Sequence, residues 1–187
     1  EGNVAIGTVA GQTSQGNSAG GCVAIGRAAG LGNQKDGAVA IGFGAGQTSQ
    51  GQNSIAIGYE AGKENQLTGN VAIGFNSGQI GQGQTAGGCV AIGSGAGSQN
   101  QQDGAVAIGS NAGGSAQGSN SIAVGANTSA GLNAVALGAG AVATTGCIVI
   151  NATGINYAPT ATGSQGFFIS KGTCLLYTSD AAEILRV

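Results

Sequence analysis

The chain has 187 residues with 40 glycines, one proline, no histidine and 6% charged residues, against about 25% charged in an ordinary soluble domain. A net charge of −2 leaves no basic footprint for nucleic acid and no polybasic membrane patch, and no apolar run approaches a membrane span. Without histidine there is no Ser-His or Cys-His nucleophile system, and glycine without a three-residue period, with almost no proline, excludes collagen.

The chain opens on Glu1-Gly2-Asn3, already inside a repeat and without Met, which reads as a piece of a longer protein. Val4-Ala5-Ile6-Gly7 follows and sets the pattern. It returns at Val23, Val39, Ile55, Val71, Val90, Val106, Ile122 and Val135, with a worn tenth copy at Ile148-Val149-Ile150-Asn151. The starts are 19, 16, 16, 16, 19, 16, 16, 13 and 13 residues apart. Within each phrase β-branched residues alternate with alanine, the two-residue period of a strand, and the closing glycine permits a turn that other residues resist.

Seven units carry a second recurring half, Ala-Gly or Ser-Gly, from Ala10-Gly11 to Ala112-Gly113. The alanine fits a narrow inward position where the chain turns back. A Gln/Asn/Ser-rich segment follows, as in Gln12-Thr13-Ser14-Gln15-Gly16. It suits either a solvated return arm or amide ladders between stacked coils. Each unit is therefore one coil of an all-β, parallel β-solenoid of about ten coils of 13–19 residues. A larger repeat is superposed at an offset of 67: Asn3/Asn70, Cys22/Cys89 and Asp36/Asp103 hold equivalent places. The longer units carry extra residues just before Cys22 and Cys89, which map to loops on one side of the array.

Each coil offers only two large aliphatic side chains to a core, worth about 1.5–3 kcal/mol apiece when buried. Ordering a 16-residue coil costs roughly 1–2 kcal/mol per residue in backbone entropy. A lone column is therefore marginal, and association, with a homotrimer as the preferred solution, covers the remaining apolar face.

Cys22, Cys89 and Cys147 each precede a strand phrase, four coils apart. At about 4.8 Å per stacked strand they are roughly 19 Å from one another, too far for a disulfide within one chain. They read as small buried thiols. No ligand cluster points to a metal, no cofactor is implied, and no acid pair suggests catalysis, so the expectation is a non-enzyme. Asp36 and Asp103 lack companions for calcium. Asn127-Thr128-Ser129 and Asn151-Ala152-Thr153 match the glycosylation acceptor pattern. Glu60, Lys63 and Glu64 read as a solvated charged loop.

The column after the strand glycine reads Thr8, Arg27, Phe43, Tyr59, Phe75, Ser94, Ser110. Three aromatics in consecutive 16-residue coils predict a stacked ladder with Arg27 one coil away. The ladder either stiffens the roll or forms a surface for carbohydrate or a protein receptor, which makes Arg27, Phe43, Tyr59 and Phe75 the candidate binding residues.

The repeats divide the chain into a roll, 1–151, and a C-terminal cap or junction, 152–187. Phe167-Phe168-Ile169, Leu175-Leu176-Tyr177 and Glu183–Val187 read as three short strands of the cap. The string Cys174–Ala182 resembles the translation of a sequencing-library adapter, so no function is assigned to residues 174–187.

Ser54-Ile55-Ala56-Ile57-Gly58 with Ala61 behind it, and Ser121-Ile122-Ala123-Val124-Gly125, resemble the head repeats of YadA-type trimeric adhesins. The resemblance covers residues 2–151. It implies a left-handed β-roll, three associated chains, an extracellular place and attachment to surfaces. The 16-residue units and Ala-Gly-Gln-Thr-Ser-Gln-Gly arms are similar to repeats in fibres of large DNA viruses and phages. So is the run from Ile148 to Gly154 with Gly166-Phe167-Phe168, which resembles the junction to a self-cleaving chaperone region. The expected function is a structural segment of a trimeric fibre on a virion surface. The alternatives are a bacterial adhesin head at the cell surface and an ice-binding solenoid, the last disfavoured by its irregular threonines.

Overall fold

The computed structural model describes residues 2–16, 20–151 and the backbone of 166–170. All regular structure in it is β. The strands are β1 (Val4–Ile6), β2 (Val23–Ile25), β3 (Val39–Ile41), β4 (Thr48–Gln50) and β5 (Ile55–Ile57). There follow β6 (Glu64–Gln66), β7 (Val71–Ile73), β8 (Val90–Ile92), β9 (Val106–Ile108) and β10 (Ile122–Val124). The last are β11 (Ser129–Ala130), β12 (Val135–Leu137), β13 (Val142–Ala143), β14 (Cys147–Asn151) and β15 (Gly166–Ser170).

The recurring phrases form one parallel sheet of 11 strands, ordered β1-β2-β3-β5-β7-β8-β9-β10-β12-β14-β15. Register is fixed rung by rung: Val4 faces Val23, Val23 faces Val39, and Val39 faces Ile55. Parallel neighbours one coil apart define a β-solenoid, and the sheet order follows the chain order of the repeat. A second ladder runs up the return arm, through Thr13, Gly32, Thr48, Glu64, Ile80, Gln99 and Ser115. At the C-terminal end β15 pairs in parallel with β14, Cys147 facing Gly166, so the sheet continues past residue 151. The expected strand at 167–169 lies within β15; the other two cap strands, and Cys174, lie outside the described residues.

The sequence counts Val and Ile as the core of each coil. The structure turns them outward instead. The strand alanines Ala24, Ala40, Ala56, Ala72, Ala91, Ala107, Ala123 and Ala136 are fully buried, whereas the β-branched residues beside them are half-buried or exposed. Ala29, Ala45, Ala61, Ala96 and Ala112 close the opposite wall, as their turn position predicts. The reason is the narrowness of the coil: alanines on the two walls and one amide in most coils already fill the lumen, leaving no room for facing isoleucines.

The rest of the interior is glutamine. Gln34, Gln50, Gln66, Gln82, Gln101 and Gln117 are essentially fully buried and are the largest such side chains among the described residues. Each Nε2 donates to a strand carbonyl 11 residues earlier, as Gln34 to Val23 at 2.9 Å and Gln82 to Val71 at 2.8 Å. Amides also bond along the axis: Gln66 donates to Gln82 at 3.1 Å, Gln82 to Gln101 at 3.3 Å, and Gln101 to Gln117 at 3.4 Å. A buried amide costs stability unless it is bonded. Every Nε2 here is bonded to backbone, but the ladder is broken at Gln50: the Oε1 atoms of Gln50 and Gln66 are buried without a hydrogen-bond partner. The amide-ladder reading of the polar arm is therefore the right one for this residue. The two 13-residue coils have no glutamine and fill the space with Ala130 and Ala143.

The Ala-Gly pair explains itself here. Gly30 has φ +53°, and a Cβ on it would lie 2.5 Å from Gln34 Oε1. The glycine leaves space for the amide four residues on.

Candidate functional site

The aromatic column is built by the same stacking. Backbone bonds one coil apart fix its rungs: Gly44 N–H donates to Arg27 O at 3.0 Å, Glu60 to Phe43 at 2.8 Å, Asn76 to Tyr59 at 2.9 Å, and Gly95 to Phe75 at 2.8 Å. The side chains therefore rise one above another on the outside of the turn that follows the strand. Phe43 and Tyr59 have centroids 5.0 Å apart and planes 8° apart; Tyr59 and Phe75 are at 5.3 Å and 16°. The Arg27 guanidinium carbon lies 5.3 Å from the Phe43 centroid. All four predicted site residues are thus in one continuous stack. Each aromatic pair contributes about 0.5–1.5 kcal/mol, and the cation–π contact about 0.5–1 kcal/mol at this exposure.

The rings remain 38%, 47% and 55% exposed from Phe43 to Phe75. What they present is mainly edge, because their faces are used against one another. Only the outer plane of Arg27 and the outer face of Phe75 look along the axis toward smaller residues, Thr8 at one end and Ser94 at the other.

The charged group beside the ladder is an ordered cluster. Lys63 Nζ contacts Glu60 Oε1 at 3.1 Å, and Gln79 Nε2 donates to Glu60 Oε2 at 2.7 Å. Both Glu60 oxygens are engaged, so its charge is already matched. It is the one ion pair among the described residues, and Arg27 has no carboxylate partner there.

Asp36 and Asp103 are loop clasps. Asp103 Oδ1 accepts from the backbone N–H of Gln84 at 2.7 Å, Thr85 at 3.1 Å and Gly87 at 3.1 Å; Oδ2 accepts from the Thr85 hydroxyl at 2.5 Å. These donors, the Thr85 hydroxyl first, hold its carboxyl well below the usual range. Asp36 accepts from Gly20 N–H at 3.2 Å in the equivalent loop. Asp103 thus secures the extra residues of the 19-residue coil that precedes it, and Asp36 holds Gly20 in the earlier one. Asn3 and Asn70 complete the arrangement, accepting from Cys22 N–H at 3.0 Å and Cys89 N–H at 2.8 Å.

Cys22, Cys89 and Cys147 are buried and form no disulfide with one another, as the column spacing requires. The thiols of Cys22 and Cys89 donate to the carbonyls of Lys35 at 3.1 Å and Gln102 at 3.0 Å. Burial pushes the Cys89 thiol up, which suits packing and not reactivity. Of the two acceptor patterns, Asn127 is exposed, while Asn151 is buried and donates to Ala139 O at 2.8 Å, leaving no room for a glycan. No group of three or more His, Cys, Asp or Glu gathers to hold a metal among the described residues.

The class defined by these features is an all-β, parallel β-solenoid with an external aromatic–arginine ladder. Comparison with protein-family models, curated proteins and solved structures gave no match.

Proposed function

We propose that the chain is a non-enzymatic structural segment of a trimeric surface fibre, extracellular on a virion, that helps attach its bearer to a host surface. One observation carries this reading: the outward side of the main sheet is an unbroken aliphatic stripe. Ile92, Ile108, Ile122 and Ile148 are 36–40% exposed, and the other Val and Ile rungs between β2 and β14 are half-buried in the single chain. A long apolar stripe of this kind is normally covered by a partner. Since every rung repeats it, the natural cover is the same stripe of another copy, and closed symmetry avoids open-ended growth. Three columns around one axis would give a rod with polar arms and insertion loops outside. Nine turns from β1 to β14, at about 4.8 Å each, make a shaft of roughly 43 Å from this chain alone.

The resemblance of the repeats to adhesin heads and viral fibres supports attachment, and the external ladder offers a contact surface repeated by each chain, suited to multivalent binding. Immunogold labelling of the intact gene product on its source particles tests the role. Label on external projections is expected; label confined to the interior would exclude it.

A further inference from the structure

We propose that the Arg27 end of the ladder is a binding site for a carboxylated sugar on an otherwise neutral glycan. The inference deepens the attachment reading but does not depend on three chains associating.

The stack leaves little ring face available. Neutral sugars bind aromatic side chains through ring faces. Here Phe43, Tyr59 and Phe75 cover one another's faces at 5.0 and 5.3 Å, so the ladder cannot serve as a row of such platforms. Its distinctive group is the guanidinium. Its carbon lies 5.3 Å from the Phe43 centroid, so the guanidinium rests over the end of the stack while Arg27 stays exposed. A guanidinium fork takes a carboxylate through two parallel bonds, and a ring contact restricts its freedom before it does so. Arg27 is exposed, and no acidic side chain reaches it among the described residues; nearby Glu60 is occupied by Lys63 and Gln79.

The surroundings decide the kind of anion. Arg27 is the only cation in its column, which elsewhere carries Thr8, Ser94 and Ser110. Thr8, the column residue one coil below, is exposed, and its coil is tied to this one by the Ala28 N–H to Thr8 O bond at 3.0 Å. The position that follows the column carries Val9, Ala28 and Gly44 in the coils at and beside Arg27, none of them charged. A run of acidic residues or sulfates would call for several cations. One fork next to a threonine, with no second cation in its column, matches one carboxylate among sugar hydroxyls.

The test is equilibrium binding of the whole chain to paired probes: sialyllactose against lactose, and oligoglucuronate against its carboxyl-reduced form. The acidic member of at least one pair should bind about tenfold or more tightly than its partner, and raised salt should weaken it. Arg27→Lys keeps the charge but loses the fork, and should lower affinity about tenfold. Phe43→Ala should do likewise, while Lys35→Gln, outside this column, should leave binding unchanged. Equal affinity within both pairs, no binding to any probe, unchanged binding by Arg27→Lys, or preference for an oligoglutamate peptide would each overturn the proposal. Light scattering on the same samples separates the two readings: a monomer that still prefers the acid sugar refutes only the trimer.

Discussion

Replacing Gly58 by alanine isolates the contact that sets the spacing between coils. Gly58 closes β5 at φ +131°, and a Cβ there would lie 2.5 Å from Gly74 O in the next coil. The same clash recurs up the column, as for a Cβ on Gly42 against Gly58 O. Two costs follow. The backbone conformation itself costs an L-residue roughly 1–3 kcal/mol. In addition the coils must separate by several tenths of an ångström, which strains the bonds that flank the contact, Gly58 N–H to Ile41 O and Gly74 N–H to Ile57 O, both 2.8 Å. Losing those two bonds costs about 1–3 kcal/mol more. The sum is about 2–6 kcal/mol, with a midpoint large for a single site. Gly69→Ala is the control: φ is +68°, but nothing lies within 4 Å of the added Cβ. It should cost only the left-handed backbone, about 1–2 kcal/mol. Thermal and urea unfolding followed by far-ultraviolet circular dichroism compares the two. Equal destabilisation within about 0.5 kcal/mol, the usual scatter of such comparisons, would refute steric control of the coil spacing.

Three further outcomes follow from the interior, the loop clasp and the ladder. Gln82→Leu leaves Val71 O and the amides of Gln66 and Gln101 without their partner, so it should cost about 2–4 kcal/mol in the same unfolding measurement, whereas Gln84→Ala, on an exposed loop, should be near neutral. Asp103→Ala should speed hydrogen exchange at the Gln84, Thr85 and Gly87 amides. Because the folded carboxyl titrates below its ordinary value near about 3.9, the clasp contributes fully above that pH and is given up as pH falls through the lowered value. The exchange difference should therefore hold from neutral pH to about 4 and shrink below it; identical exchange at pH 6 would contradict the clasp. Tyr59→Ala removes both ring stackings and should cost about 1–3 kcal/mol with loss of near-ultraviolet aromatic dichroism, and an unchanged spectrum would mean the rings are not stacked in solution.

Much of the fold is legible in the sequence because strand pairing follows the repeat itself. Val23, Val39 and Ile55 recur one coil apart and pair in that register. The aromatic stack could be read for the same reason, since equal coil lengths bring Phe43, Tyr59 and Phe75 into line. The interior could not be read from hydrophobicity, which assigns the inside to the largest apolar residues. Here lumen width decides, admitting Ala56 and the flat amide of Gln50 while excluding Ile55 and Ile57. A signal was present: Gln15, Gln34, Gln50, Gln66, Gln82, Gln101 and Gln117 each stand four residues after the glycine of the Ala-Gly or Ser-Gly pair. Likewise the offset of 67 linked Asp36 to Asp103, but their work on the preceding loop depends on backbone N–H directions that spacing does not carry.

The central claim is that the aliphatic outer stripe requires other copies of the chain to cover it. Sedimentation equilibrium at micromolar concentration tests this directly. A mass three times the 17.5 kDa of one chain, held on dilution, is the expected result. A folded species that stays at 17.5 kDa would contradict it.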